Sequence, residues 1–496
     1  MRRLLTFALL LSTLSAVLVA LPTLTPAGAD PRPVPASVHR IPLQAVVGAA
    51  RAGALRTDTH ATKPFSLMGV TWAPDPAVDE VQVQVRHRSN GRWSDWETVQ
   101  AHTEDAPDAG SVDTRSPGYR MGTAPIWTGP SDGVQVRLEV LSGATPRDVS
   151  IELVDPGTSP ADAALSAPRG SAHAEAPTPR IITRQEWGAD ESIRKGSPSY
   201  NATVRVGFVH HTASSNSYTA EQAAQMVRGI YAYHVKSNGW SDIGYNYLVD
   251  RYGRAYEGRA GGLDRFVVGA HTGGFNKDSF GVSLLGDFST VAPSTATVGM
   301  LTDVLAWKLG SAYRDPLAKA VLTSAGGGTS KYAAGAKATF DVVSGHRDAG
   351  NTACPGATTY ARMVGIRAAV GAKVGAGFVD PLLSGSGEHK QGARDTVAVS
   401  ARTRGPLSWT TTVEDSSGGL LRSATGLNAD GSAVSVSWDL TDATGRPVKP
   451  GRYYLRMNGV RDGDRARPLV REIVVQARVC RGGPLDRAKC KAGKRD

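Results

Sequence analysis

Ser344-Gly345-His346-Arg347-Asp348-Ala349-Gly350-Asn351-Thr352-Ala353-Cys354-Pro355-Gly356 is a turn-rich stretch in which an imidazole and a thiol stand eight positions apart. Histidine nitrogen and cysteine thiolate are donors that zinc prefers, and a catalytic zinc takes three protein ligands with water in the fourth place. The stretch therefore reads as part of a zinc site, with one ligand to be found elsewhere. Upstream, Val206-Gly207-Phe208-Val209-His210-His211-Thr212 has the apolar run of a buried strand and ends in two histidines. Side chains alternate faces along a strand, so His210 and His211 point in opposite directions, and only one can join His346 and Cys354 at a single metal. Spacing alone leaves that choice open.

Two more motifs lie between these. Phe208-Val209-His210-His211-Thr212, Gly239-Trp240-Ser241-Asp242-Ile243-Gly244-Tyr245-Asn246-Tyr247, Gly269-Ala270-His271-Thr272 and the loop from His346 to Gly356 follow one another across about 150 residues. This ordered set resembles the peptidoglycan recognition protein family and the related phage-lysozyme-type N-acetylmuramoyl-L-alanine amidases, over roughly residues 179 to 374. The resemblance implies that His210, His346 and Cys354 are the zinc ligands. It also implies that Tyr245 stands beside the metal and that Thr352, two residues before Cys354, helps to hold the oxyanion. His234 and His271 match positions that line the substrate groove in relatives, with a packed histidine as the equal alternative at each. Recognition-only relatives typically lose the cysteine or a histidine, whereas all three ligand positions are filled here. The expected activity is zinc-dependent hydrolysis of the amide between N-acetylmuramic acid and L-alanine in peptidoglycan, with a non-catalytic peptidoglycan-binding recognition protein as the alternative. Asp348 is expected to cap a turn or pair with arginine. Neither a His-Glu-x-x-His string nor a Gly-x-Ser-x-Gly elbow is present to support a rival hydrolase chemistry.

At 496 residues the chain is too long for one compact core. Residues 1–29 read as a secretory signal peptide: Met1-Arg2-Arg3 is positive, Leu4 to Leu21 is apolar, and Ala27-Gly28-Ala29 is a small-residue cleavage site. The expectation is a secreted, wall-associated protein with no transmembrane anchor after cleavage. Three cysteines in an oxidising compartment leave an odd count. Cys480 and Cys490 close a short loop and could pair, and zinc coordination would then shield Cys354 from oxidation. A formal charge of +11 and a pI near 9.6 call for an anionic partner. For an exported chain that partner is the wall, with its carboxylate-bearing stem peptides and anionic polymers, rather than nucleic acid.

The remaining chain divides by pattern. Residues 30–55, rich in Pro and Ala, read as a flexible lead-in. Residues 56–155 carry alternating runs such as Val81-Gln82-Val83-Gln84-Val85-Arg86 and a Ser89-Asn90-Gly91-Arg92 turn, which predict a β-sandwich-like domain. In it Trp72, Trp93, Trp96 and Trp127 are candidates for a carbohydrate-stacking face or, more commonly, for core. Residues 156–178 read as a linker. Residues 179–375 mix strands with helices over 220–236, 297–309 and 358–370, which predicts an α/β domain with a central mixed sheet and packed helices. Residues 376–395 read as a second linker, and 478–496 as a basic tail. Residues 396–477 alternate again, and the string from Trp438 to Tyr454 resembles the immunoglobulin-like module that ends flagellar hook-capping proteins. Its Asp and Gly residues are expected to build a turn and carry no chemistry.

Overall fold

The computed structural model describes residues 32–45, 55–57, 60–99, 106–165, 178–327, 329–384, 388–391 and 395–477. The expected signal peptide, the expected Cys480–Cys490 pairing and the basic tail lie outside the described residues. Among those described, no helix is long and apolar enough to cross a membrane.

The central region is built on a six-stranded sheet in the order Ile181–Ile182, Ala255–Glu257, Tyr247–Val249, Ser279–Leu284, Val206–His211 and Val343–Gly345. Its pairs are parallel apart from that between Tyr247–Val249 and Ala255–Glu257. Both faces are covered, which is why Val206–His211 and Ser279–Leu284 are buried throughout and lack alternation in sequence. Leu248 and Tyr256 face the helix Ala220–Ala232, and their neighbours Tyr247, Val249 and Ala255 face the helices Thr295–Ser311 and Met363–Val374. Thr219 and Gln222 cap the first helix reciprocally, as their spacing predicts. That helix ends in a π-helical turn, Tyr233–Ser237, which carries His234. The expected third helix is broken into Ala357–Tyr360 and Met363–Val374. A hairpin, Lys319–Thr323 with Lys337–Asp341, has no counterpart in the sequence reading because each strand is short and exposed on one side.

The N-terminal unit is one ten-stranded antiparallel network in which His60–Trp72, Val78–Ser89 and Ile126–Gly143 are the long members. Its strands do not separate into the two sheets of a simple sandwich. The lead-in is also not entirely flexible, since Ser37–Pro42 pairs with Ser150–Asp155. Proline at either end of that segment suggests a loop in sequence, but an edge strand tolerates it. Trp72 and Trp127 are buried, whereas Trp93 and Trp96 are half-buried beneath the guanidinium groups of Arg86 and Arg137.

The expected linkers also carry structure. Within 156–178, Ala161–Ala164 forms a helical turn whose buried Asp162 pairs with buried Arg228 at 2.7 Å. Leu67, Trp127 and Val154 of the N-terminal unit share one core with Trp187, Val227 and Ile230 of the central region, so the two are fused by apolar packing. Within 376–395, Gly377–Ser384 pairs with Val397–Arg404, and Glu388–Lys390 pairs with Leu469–Gln476. Both belong to the C-terminal β unit, whose three-stranded and six-stranded sheets pack a common core. Asp439 and Asp442 accept backbone N–H bonds from Thr441, Thr444 and Arg446, the turn-building role expected of that string.

Removing one member of a buried ion pair strands the other charge, so Asp162→Ala is expected to destabilise the chain by about 3 kcal/mol or more. Urea unfolding of variant and wild type checks this, and an effect below about 1 kcal/mol would mean that the 156–165 segment is not docked in solution.

Candidate metal centre

Two parallel strands end side by side. Val206–His211 pairs with Val343–Gly345 in the register Val209 opposite Gly345, so the next residues, His210 still within its strand and His346 just past the end of its own, stand side by side. Their rings lie 4.6 Å apart between centroids. The loop after His346 then folds back. Arg347 donates its backbone N–H to the Cys354 carbonyl at 2.9 Å, and the Cys354 N–H is bonded to Thr352 Oγ1 at 2.9 Å. Asp348 Oδ2 accepts the Gly345 N–H and Oδ1 accepts the Tyr360 hydroxyl, so this carboxylate holds the turn, as expected. Cys354 Sγ is delivered to 3.7 Å from His210 Nδ1 and accepts the His211 backbone N–H at 3.4 Å. One donor atom from each of His210, His346 and Cys354 lies within 4.8 Å of the others, and all three residues are buried.

The adjacent histidine is excluded by the strand alternation. His211 lies on the opposite face, where Nδ1 accepts the Phe288 N–H at 3.2 Å. The donor set suits zinc. Ligands held 2.0 to 2.3 Å from one centre in a tetrahedron lie roughly 3.3 to 3.8 Å apart, the range of the His210–Cys354 separation. Burial also lowers the His210 pKa to about 3, which keeps the ring in the neutral form that can bind a metal.

Behind this cluster is a polar relay. His210 Nε2 is 3.2 Å from Thr272 Oγ1, which is 2.9 Å from His271 Nδ1. Asn276 Oδ1 pins the loop by accepting the N–H groups of His271 and Thr272. Glycine is required beside it: a Cβ on Gly281 would meet the His271 ring at 2.5 Å, and one on Gly269 would meet it at 2.4 Å. His271 is thus fully buried behind His210, the packed alternative of the two expected for it, and does not line a groove in this structure. His234 is packed in the same way. Its ring stacks on Trp240 at 4.5 Å, its Nδ1 accepts the Gly244 N–H at 3.1 Å, and it is 2% exposed. Desolvation first, then the nearby Arg259 charge, lowers its pKa to about 3. Tyr245 sits between the two sets, its ring 5.7 Å from His210 and 6.0 Å from His234. Thr352 is half-buried and lines a polar cleft with Ser344, Arg347 and Lys331. Sequence reasoning passed over Thr272, Asn276 and Arg259. Thr272 was in view, but the imidazole beside it drew the functional reading.

A family model described as N-acetylmuramoyl-L-alanine amidase matches residues 200–357, which contain every element of this site. Peptidoglycan-recognition protein SC2 of Drosophila simulans is 32% identical over 184 residues, 36% of this chain and 82% of that protein. Peptidoglycan recognition protein 1 of Bos taurus is 29% identical over 181 residues, covering 36% and 80%. The chain belongs, through its central region, to the peptidoglycan recognition protein family. A solved structure of wild-type Drosophila PGRP-LB is 25% identical, with a TM-score of 0.30, covering 37% of this chain and 92% of that one. Residues 26–169 match a second model, described as Rv3811 N-terminal galactose-binding domain-like.

Thr272→Val keeps the shape of the side chain and removes the hydroxyl between two buried imidazoles. It is expected to cost about 1–3 kcal/mol in urea melts of the metal-free chain, with Thr272→Ser near wild type. The buried histidines also fix the sign of the acid response. Above pH 6.5 neither the folded nor the unfolded ring of His234 is charged, and full stability is present. Below it the unfolded chain takes up protons that the folded ring refuses until about pH 3. Unfolding free energy of the metal-free chain is therefore expected to fall as pH drops from about 6.5 toward 3; a flat profile across that window would contradict neutral burial.

Proposed function

We propose that this chain is a secreted, zinc-dependent N-acetylmuramoyl-L-alanine amidase acting on bacterial peptidoglycan. The observation that carries the reading is the complete set of His210, His346 and Cys354 at one sheet edge, inside the matched amidase region. His210 Nδ1, an imidazole nitrogen of His346 and Cys354 Sγ would hold the metal. When bound, zinc supplies Lewis acidity, polarising the amide carbonyl and bringing the pKa of water from about 16 toward 7.

The residues around the cluster do the rest. With Nδ1 committed to the metal, His210 Nε2 keeps its proton and donates it to Thr272 Oγ1, and the Thr272 hydroxyl in turn donates to His271 Nδ1. The ring is thereby fixed in one tautomer and one orientation. Thr352 Oγ1 accepts the Cys354 N–H, which leaves its own hydrogen to donate to the oxyanion formed when the amide carbonyl is attacked. Tyr245, whose ring lies 5.7 Å from that of His210, would orient the attacking water through its O–H. Export to the wall rests on residues 1–29, and the basic charge suits carboxylate-bearing stem peptides and anionic wall polymers.

Purified chain is expected to carry about one zinc, and Cys354→Ser to lose most of it, because a hydroxyl is a far poorer zinc ligand than a thiolate. His210→Ala should lose the metal as well, and His211→Ala should largely keep it. With purified peptidoglycan the wild type is expected to release L-alanine amino termini and no new reducing sugar ends. Tyr245→Phe and Thr352→Ala should retain zinc and turn over about 10- to 1000-fold more slowly. Zinc-loaded wild type that binds peptidoglycan yet releases no amino termini would instead be a recognition protein.

A further inference from the structure

Residues 106–120 belong to the N-terminal unit and lie on the central region as a strap. At one end the Ala106 carbonyl accepts the Asn276 side-chain N–H at 2.9 Å, and Asp108 Oδ1 accepts the same amide at 2.8 Å. Asn276 is the residue that pins His271 and Thr272. At the other end the Arg120 N–H donates to the Asn238 carbonyl at 3.0 Å. The Gly118 carbonyl presses on Gly239, where an added Cβ would meet it at 2.0 Å. Midway, Asp113 is 2% exposed and is seated in a cradle made by the central region. Its carboxylate accepts the Ser241 backbone N–H at 2.6 Å, the Ser241 hydroxyl, and both terminal nitrogens of Arg259 at 3.1 Å.

The cradle adjoins the residues assigned to catalysis. Arg259 donates its backbone N–H to the Tyr245 carbonyl at 2.8 Å and its Nε–H to the Ile243 carbonyl at 3.0 Å. Ser241 follows Trp240, which stacks on His234. Tyr245 and His234 are each 2% exposed, yet an amidase would need Tyr245 to meet a polymer. A cleft of about 280 Å³ runs along the strap, with Asp108, Asp113 and Arg115 on one wall and Arg194, Lys195 and Arg259 on the other.

The attachment is of an exchangeable kind. Ala106 and Ala109 give the strap small apolar contacts with Gly273 and Gly327, its other named contacts with the centre are polar, and its own structure is a series of short turns such as Ser116 N–H to the Asp113 carbonyl. Val112 is 49% exposed. The rest of the N-terminal unit is held by the apolar core around Leu67, Trp127 and Val154, so the strap can leave without detaching the unit. A guanidinium with a serine N–H and O–H is a receptor for carboxylate, and it holds one in this structure. Burial alone would raise the Asp113 pKa, but Arg259 and Ser241 outweigh it and hold the carboxyl below its ordinary value.

Resting on the proposed function, we infer that the Ala106–Arg120 strap is an internal competitor of substrate. Asp113 fills the Arg259–Ser241 cradle that a carboxylate of the stem peptide occupies once the strap lifts. The test uses the full zinc-loaded chain and a soluble N-acetylmuramoyl peptide carrying free carboxylates. Asp113→Asn is expected to increase affinity for that fragment, and kcat/KM for its cleavage, by about 10-fold, since a closed population reduces apparent affinity in proportion.

A second pair of variants keeps the strap closed. A Cβ on Gly273 would lie 3.3 Å from that of Ala106, so a shift of a few tenths of an ångström brings Ala106→Cys with Gly273→Cys into the separation of a disulfide, about 3.5–4.5 Å. The oxidised double variant is expected to lose fragment binding and to regain it on reduction, with wild type unaffected by the same reductant. Unchanged affinity in Asp113→Asn, or full binding by the locked variant, would overturn the inference. If Asp113→Asn binds the fragment more tightly and the lock blocks binding while no variant cleaves the amide, the strap stands and the amidase reading falls.

Discussion

Parallel pairing of Val206–His211 with Val343–Gly345 is the constraint on which the site depends. Parallel neighbours run in the same direction and reach the same edge, so two histidines far apart in sequence emerge as neighbours with their rings 4.6 Å apart. A shift of register by one residue would turn His211 inward and His210 away, because the side-chain period of a strand is two. The thiol is brought in afterwards by a loop whose backbone bonds, Arg347 to Cys354 and Cys354 to Thr352, are local and repeat the order of the sequence. Sheet and loop thus contribute independently to a cluster that neither could form alone.

Burial around that cluster has two consequences. It removes protons from the imidazoles, leaving His210 and His234 with pKa values of about 3, and it requires each polar atom to be matched to a partner. Thr272, His271 and Asn276 meet that requirement for His210, with Gly269 and Gly281 supplying the room. The same low-dielectric setting strengthens the Asp113 pair with Arg259, so a segment from another unit can be held by charge and hydrogen bonds over so small an area.

The N-terminal unit is therefore part of the central region's surroundings. Its apolar face completes the core beneath the helix Ala220–Ala232, and its strap covers the turns carrying Trp240, Tyr245 and Thr272. The C-terminal unit is attached through Arg314 to Asp380 at 2.7 Å, Arg404 to Asp315 at 3.0 Å and Tyr313 packed on its core, on the side of the helices Thr295–Ser311 and Met363–Val374.

Local chemistry made much of this legible in the sequence. The buried run ending in His210 and His211, the capping box at Thr219, the turn around Asp348 and the spacing of Thr352 and Cys354 each depend on residues within about a dozen positions. The order of the motifs was sufficient to indicate the family. What lay beyond the sequence was every relation across distance. Alternation showed that only one histidine can join His346 and Cys354, but the sheet partners placed His210 in that cluster. Prolines and alanines in 30–55 and 156–178 indicated mobility, yet a strand partner and the buried Arg228 gave those segments a place to dock. His234 and His271 carried the same motif signals as surface residues, and they are buried because other segments pack over them. A side chain's type is written in the sequence; its exposure is set by what folds against it, and that partner can lie more than a hundred residues away.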